Sequence, residues 1–391
     1  MQFVESKNLK PGMRLAKPIY NKMGVMLYER DTLLTPAGIK SIENFGLIGI
    51  FILEPAEPLP PLSEEDIQFE QFQTIYMFRA KEIMDKLQQK KEPDTLSSLV
   101  ENIISRYGSL DHKMNFTQNL RSSADFVYKH AISTAILATM IANVMHCTPS
   151  DKLNITTAAL LYDLGYLFVP RKILDKDDID RTEEDEKVIQ ECRKKGYALL
   201  DPDSNQYGLN QEIFTIIHQV HVSLATKDQD DLKSKKFSRA AKILIVSDMF
   251  DQLTAMNLHR APISEVATIR YLREYPERYS SNVVSALSHC IHILPVGSSI
   301  DLSTGDKGIV LMENPQNFLA PVVLNIRDNR IYDLSNPLVA AKIQITDIMK
   351  TMDNRIVIDE TTLKQFSTDS KTQNTLAKFK EKESNVKNRK A

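Results

Sequence analysis

Tryptophan is absent from the chain, and cysteine is scarce. The three cysteines, Cys147, Cys192 and Cys290, are widely spaced and odd in number. They offer no disulfide framework and no Cys-x-x-Cys metal site, and they suit a reducing cytoplasm, the expected location. No apolar run approaches the roughly 18 residues that a membrane span needs, so none is expected. Residues 1–15 lack the basic-then-apolar pattern of a signal peptide. Charge of either sign is not in excess: the formal net value is −2, which gives no general argument for a nucleic-acid partner. Also missing are a Walker-type Gly-x-x-x-x-Gly-Lys run, a Gly-x-Gly-x-x-Gly after a strand and a Gly-x-Ser-x-Gly elbow. Gly305-Asp306-Lys307-Gly308 reads as a turn.

What is present suffices for a sizeable core. Apolar residues make up 42% of the 391, a length that holds two or three domains of roughly 150 residues. Residues 1–53 read as a small α+β module. Val4, Leu9, Met13, Leu15, Ile19, Val25 and Leu27 fall in short runs broken by Lys10-Pro11-Gly12, Lys17-Pro18 and Lys22-Met23-Gly24. Thr35 is placed to cap a helix that opens with Pro36, and residues 49–53 form a last strand. Residues 54–66 are a Pro- and acid-rich linker, semi-extended by composition. Helical periodicity then dominates residues 67–294, beginning with Phe72, Ile75, Phe78, Ile83 and Leu87 and then Leu96, Leu99, Ile103 and Ile104. Residues 295–350 turn β-like, as two hairpins about 303–307 and 327–330. Within the C-terminal segment 351–391, residues 369–391 carry seven Lys/Arg against three Asp/Glu and few apolar side chains, which predicts a disordered basic tail.

The segment 158–175, AALLYDLGYLFVPRKILD, ends a buried helix on Leu160, Leu161 and Leu164 with Asp163 among them. A carboxylate so placed must be paired, hydrogen-bonded or metal-bound, because an isolated buried charge is costly. Gly165 allows the chain to leave the helix. This segment resembles the signature of the HD-GYP family, HD-superfamily phosphohydrolases that cleave cyclic di-GMP. The family has a His-Asp pair followed by Ile-Gly-Lys; here Tyr162, Asp163, Leu164, Gly165 and Tyr166 stand in those places. Residues 1–53 also resemble the small module often attached to such domains, and residues 297–310 a β-appendage seen after some of them. The resemblance implies a mainly α fold: an HD-superfamily helical bundle with a small N-terminal α+β module and a C-terminal β-hairpin appendage.

It also implies where two metal ions, usually iron or manganese, would be held around a bridging hydroxide. His130, on a helix apolar all round, matches the first ligand position, and Phe126 replaces the glutamate that some members carry one turn earlier. At the His-Asp pair Asp163 is kept and Tyr162 replaces the histidine, while Tyr166 replaces a lysine that would contact a substrate phosphate. Cys192 stands at the third position. At the fourth, His221 aligns, Val220 and Val222 replace the other two residues, and His218 lies three residues earlier on the same helix face. Residues 225–230 keep nothing of the Gly-Tyr-Pro loop. The fifth position, Asp248, belongs to the best-kept motif, Ser247-Asp248-Met249-Phe250-Asp251-Gln252-Leu253-Thr254, continued by Arg260-Ala261-Pro262.

His130, Asp163, His221 and Asp248 are therefore the expected remnant of a metal site, with Tyr162, Tyr166, Cys192 and Val220 as substituted positions. The leading expectation is a degenerate, cytoplasmic HD-GYP-like signalling protein with no catalytic residues and no cofactor. It would act by sensing cyclic di-GMP or by contacting a signalling protein, with a homodimer as one assembly. The alternatives are an active phosphodiesterase that binds one or two Fe or Mn ions through an unusual ligand set, and a pure interaction scaffold.

Overall fold

The structure, a computed structural model, describes residues 2–15, 19–20, 26–29, 32–44, 49–54, 63–118, 121–176, 180–201, 207, 209–226, 228–255, 262–314, 316–328 and 330–348. The breaks at Lys17-Pro18 and Lys22-Met23-Gly24, Val25, residues 55–62 of the linker, Lys227, Arg260-Ala261, Asn329 and the segment 351–391 with its basic tail lie outside the described residues. The chain divides into two compact units, Met1–Pro61 and Leu62–Ala391.

In the first unit, strands β1 (Gln2–Glu5), β2 (Arg14–Leu15), β3 (Ile19–Tyr20) and β4 (Met26–Tyr28) precede helix α1 (Pro36–Asn44) and strand β5 (Gly49–Glu54). One antiparallel sheet has the order β1-β5-β2, and β3 pairs with β4. The cap of α1 forms as its sequence predicts: the Gly38 amide donates to Thr35 Oγ1 at 3.1 Å. Leu15, Ile42 and Ile52, all fully buried, centre its own small core.

The second unit is mainly helical. Helices α2 (Glu64–Gln88), α3 (Leu96–Tyr107), α4 (Phe126–Val144) and α5 (Pro149–Leu161) lead into a tight 3₁₀ turn, Leu164–Phe168. Then come α6 (Arg171–Leu174), α7 (Glu183–Leu199), α8 (Gln211–Ala225), α9 (Gln229–Lys233), α10 (Arg239–Thr254), α11 (Glu265–Glu274) and α12 (Ser281–Cys290). Strands β6 (Ser299–Leu302), β7 (Lys307–Met312), β8 (Val322–Asn325) and β9 (Arg330–Asp333), a short helix α13 (Pro337–Ala340) and β10 (Ile345–Ile348) complete it.

Helix α2 starts earlier than its apolar spacing suggests. Ser63 and Asp66 form a reciprocal capping box, so the end of the linker is already helix. Its inward face also differs from the one that its apolar spacing predicts. Phe69, Phe72, Ala80, Ile83, Met84 and Leu87 are buried, whereas Ile75 and Phe78 are 54% and 63% exposed. Ile75 sits about a third of a turn, and Phe78 about half a turn, off the stripe that α3 and α4 cover.

Helix α4 is the centre of the bundle. Fifteen of its nineteen residues are buried, and it packs against α2, α3, α5, α10 and α12. Ala131, Ala135, Ala138 and Ala142 keep it slim enough for neighbours on every side. The C-terminal strands form one antiparallel sheet in the order β10-β6-β7-β8-β9. The two expected hairpins are there, and β10 adds a fifth strand on the β6 edge. Arg270 of α11 donates to the carbonyls of Ile345 and Thr346, tying that edge to the helices.

Candidate functional site

The chemistry gathers where α4, the end of α5 and α10 meet. His130 is fully buried on α4, between Asp251 and Asp248 on α10 and Tyr162 at the end of α5. Its Nδ1 lies 2.5 Å from Asp251 Oδ2. Its Nε2 lies 2.6 Å from Tyr162 Oη, 3.1 Å from Asp248 Oδ1 and 3.5 Å from Asp163 Oδ2. The Tyr162 hydroxyl donates to Asp248 Oδ1 at 2.6 Å, and Gln252 Nε2 donates to the same oxygen at 2.7 Å.

One phenol carries one hydrogen, and this fixes the protons. If that hydrogen goes to Asp248, Tyr162 Oη accepts from His130 Nε2–H, while Nδ1–H donates to Asp251. His130 then carries both protons. Burial works against that charge, but bonds to Asp163, Asp248 and Asp251 outweigh it and hold the imidazolium well above its ordinary range. Burial, with Asp248 and Asp163 beside it, likewise pushes the Tyr162 phenol well up, so it stays neutral.

Around this pair stand three carboxyl groups and two guanidinium groups. Arg121, 1% exposed, donates from Nη1 to Asp251 Oδ2 at 2.6 Å and from Nη2 to Oδ1 at 2.8 Å. Gln118 donates to the same Oδ1 at 3.0 Å. Burial opposes ionisation of Asp251, yet Arg121 and His130 hold its carboxyl well below the usual range. On the other side Arg193 of α7 reaches in, with Nε 4.0 Å from Asp163 Oδ1. Burial again opposes the charge on Asp163, and His130 and Arg193 overcome it. Neither Asp163 Oδ1 nor Arg193 Nε has a hydrogen-bond partner, although both are buried. The two lie close enough for one water to bridge them.

Asp163 is held by a backbone crossing. Gly165, in the 3₁₀ turn, faces Gly196 of α7, and a Cβ on Gly165 would sit 2.5 Å from Arg193 Cα. The glycine serves close approach more than a left-handed exit from the helix, since its φ is not positive.

The structure brings together His130, Asp163 and Asp248 from the expected remnant, and adds Tyr162. Their ligand atoms on His130, Asp163 and Asp248 all lie within 4.8 Å of one another, so these three are the candidate set for one divalent ion. A two-ion centre does not fit the donors. Tyr162 Oη already lies 2.6 Å from both His130 Nε2 and Asp248 Oδ1. The Cys192 thiol donates to the Phe168 carbonyl at 3.3 Å, and Val220 is buried among apolar neighbours. His221 Nε2 donates to the Tyr162 carbonyl at 2.8 Å, with burial holding its pKa below the usual value. His218 is exposed and turns its ring towards Tyr197, 5.8 Å away, so it does not stand in for a lost ligand. Phe126, in the place of the extra glutamate, stacks on His130 with ring centres 5.3 Å apart.

Three participants escaped the sequence reading. Arg121 and Gln118 come from an irregular stretch with no periodicity to mark them. Arg193 sits in Glu191-Cys192-Arg193-Lys194-Lys195, which reads as a solvated charge run. Its guanidinium stacks on the Tyr166 ring at 5.1 Å and donates to the Tyr166 hydroxyl at 2.9 Å. A cation therefore stands next to the position where the resemblance had implied a lost lysine.

Residues 114–283 match the HD domain. The chain is 25% identical over 206 residues to the cyclic di-GMP phosphodiesterase PA4108 of Pseudomonas aeruginosa, covering 52% of this chain and 49% of that protein. It is 20% identical over 182 residues to the cyclic di-GMP phosphodiesterase PdeB of Borreliella burgdorferi, covering 46% of this chain and 47% of the relative. The chain thus spans about half the length of these curated relatives. Among solved structures, Bd1817, a HDG"Y"P protein from Bdellovibrio bacteriovorus, aligns with 73% of this chain and 97% of its own at 15% identity and a TM-score of 0.41. The segment 114–283, which holds His130, Asp163 and Asp248 in one buried cluster, is thus similar to the HD domain.

Proposed function

We propose that this chain is a cyclic di-GMP signalling protein of the HD-GYP kind whose phosphodiesterase activity is lost or much reduced, and that it acts by sensing the nucleotide or by contacting a partner. The relatives' named activity supports the nucleotide. One observation carries the loss of chemistry: the Tyr162 hydroxyl sits 2.6 Å from both His130 Nε2 and Asp248 Oδ1, in the space a bound cation would need. The formal charges of Asp163, Asp248 and Asp251 are meanwhile matched by Arg121, His130 and Arg193, so the pocket reaches neutrality through its own side chains.

The test is metal analysis of protein purified without chelators, combined with cyclic di-GMP binding and turnover on the same sample. The expected result is less than one tightly held iron or manganese per chain, nucleotide binding at micromolar levels and no turnover. Two ions per chain with rapid hydrolysis would reject the reading. A second reading, an active phosphodiesterase with an unusual ligand set, draws on the closeness of His130, Asp163 and Asp248. A single retained ion together with slow turnover would favour it.

A further inference from the structure

Arg121 does more than hold Asp251. It also lines a cavity of about 340 Å³ between α2 and α4. None of His130, Tyr162, Asp163 and Asp248 borders this space, so it is distinct from the cluster described above. Its apolar wall is Met77 and Phe78 of α2 with Ile132 of α4, and its polar side is Arg121, Lys129 and Ser133.

Two features of the lining point to a ligand. First, Arg121 is 1% exposed, yet its Nε–H has no acceptor. Its Nη1 and Nη2 donate to Asp251, Gln118 and Ser133. A buried guanidinium N–H without an acceptor is costly, and an oxygen of a bound molecule would relieve it. Second, Phe78 leaves 63% of its surface in water at the cavity wall, an apolar face that a bound group would cover. Among the described residues no carboxylate lines the space, while two cations do; Lys129 is steadied by Asp125 at 2.6 Å.

We propose that this cavity is a second ligand site, for a small organic acid with a ring or branched alkyl body. The acid group would accept from Arg121 Nε and face Lys129, and the body would pack on Met77, Phe78 and Ile132. The volume lies at the low end for small-molecule sites, roughly 300–1,000 Å³, and suits one ring system rather than a dinucleotide. The inference does not depend on the function proposed above.

Titration of the full chain with the anionic dye 1-anilinonaphthalene-8-sulfonate, followed by fluorescence, tests it. The expected result is one saturable site per chain. Thr74→Trp, which fills the mouth from an exposed position, and Lys129→Glu should each weaken binding at least tenfold. The neutral N-phenyl-1-naphthylamine should also bind at least tenfold more weakly. Ile75→Asp removes the neighbouring exposed apolar side chain, which does not line the cavity, and should change affinity less than twofold. Absence of a saturable site, equal loss in Ile75→Asp and Thr74→Trp, or equal binding of the neutral dye would each overturn the proposal. Circular dichroism on every variant keeps a folding defect from being read as lost binding.

Discussion

Replacing Arg121 by methionine should cost this protein more stability than any single change at its surface. Arg121 and Asp251 are 1% and 0% exposed, and they are joined by two hydrogen bonds of 2.6 and 2.8 Å. Removing the arginine leaves a buried carboxylate held by His130 at 2.5 Å and Gln118 at 3.0 Å. Breaking a buried pair costs about 3–5 kcal/mol when the survivor is abandoned. Here two other donors remain, so the low end applies, about 3 kcal/mol. Spread over a unit of this size, that lowers Tm by on the order of 4–6 °C. Urea unfolding of the wild type, Arg121→Met, Asp251→Asn and the double variant gives the coupling directly. A coupling of about 1.5 kcal/mol or more is expected. A loss under about 1 kcal/mol in Arg121→Met, or additivity within about 0.5 kcal/mol, would refute the view that the pair anchors His130.

Three further outcomes follow from the same geometry. Tyr162→Phe strips the hydroxyl from between His130 and Asp248 but leaves Asp248 its bond from Gln252, so a loss of about 1–2 kcal/mol is expected, seen as a lower urea midpoint at unchanged m. Gly196→Ala puts a methyl group against the Gly165 main chain, and since backbone cannot swing aside the cost should approach about 3 kcal/mol, measured by thermal unfolding. The bond from Lys176 at 2.6 Å, with the cap at Thr182, holds the Asp185 carboxyl down to about 2. Its folded value lies below the unfolded one of about 3.9. The stabilisation is therefore present above pH of about 4 and lost as pH falls through the folded value. An NMR titration of the Asp185 carboxyl carbon should show its midpoint near 2, and Asp185→Asn should match the wild type in stability only in strong acid.

Much of the frame was legible because burial writes itself into periodicity. The helix around His130 is apolar on all sides, and the structure puts it at the centre of the bundle. Asp248 and Asp251 stand one turn apart on α10, so a single motif announced two buried acids. The α1 cap and both C-terminal hairpins followed from turn chemistry. Other features depend on who the neighbour is, which no local pattern records. Ile75 and Phe78 look like core residues until the α2 face is known. Arg121 and Arg193 look like solvated charge until a carboxylate is placed opposite each of them. His221 fits a ligand position by alignment, but its hydrogen bond goes to the Tyr162 carbonyl.

The contact of Gly165 with Gly196 has a wider consequence. Main chain rests on main chain there, with no side chain between them. The spacing between the stretch that carries Tyr162, Asp163 and Tyr166 and the stretch that carries Cys192 and Arg193 is thus set by atoms every residue shares. Amino acids on either side of that contact can be exchanged without moving the two strands of chain apart. An exchange of the side chain at Tyr162 or Cys192 can thus alter the reactivity of the pocket and leave its dimensions alone.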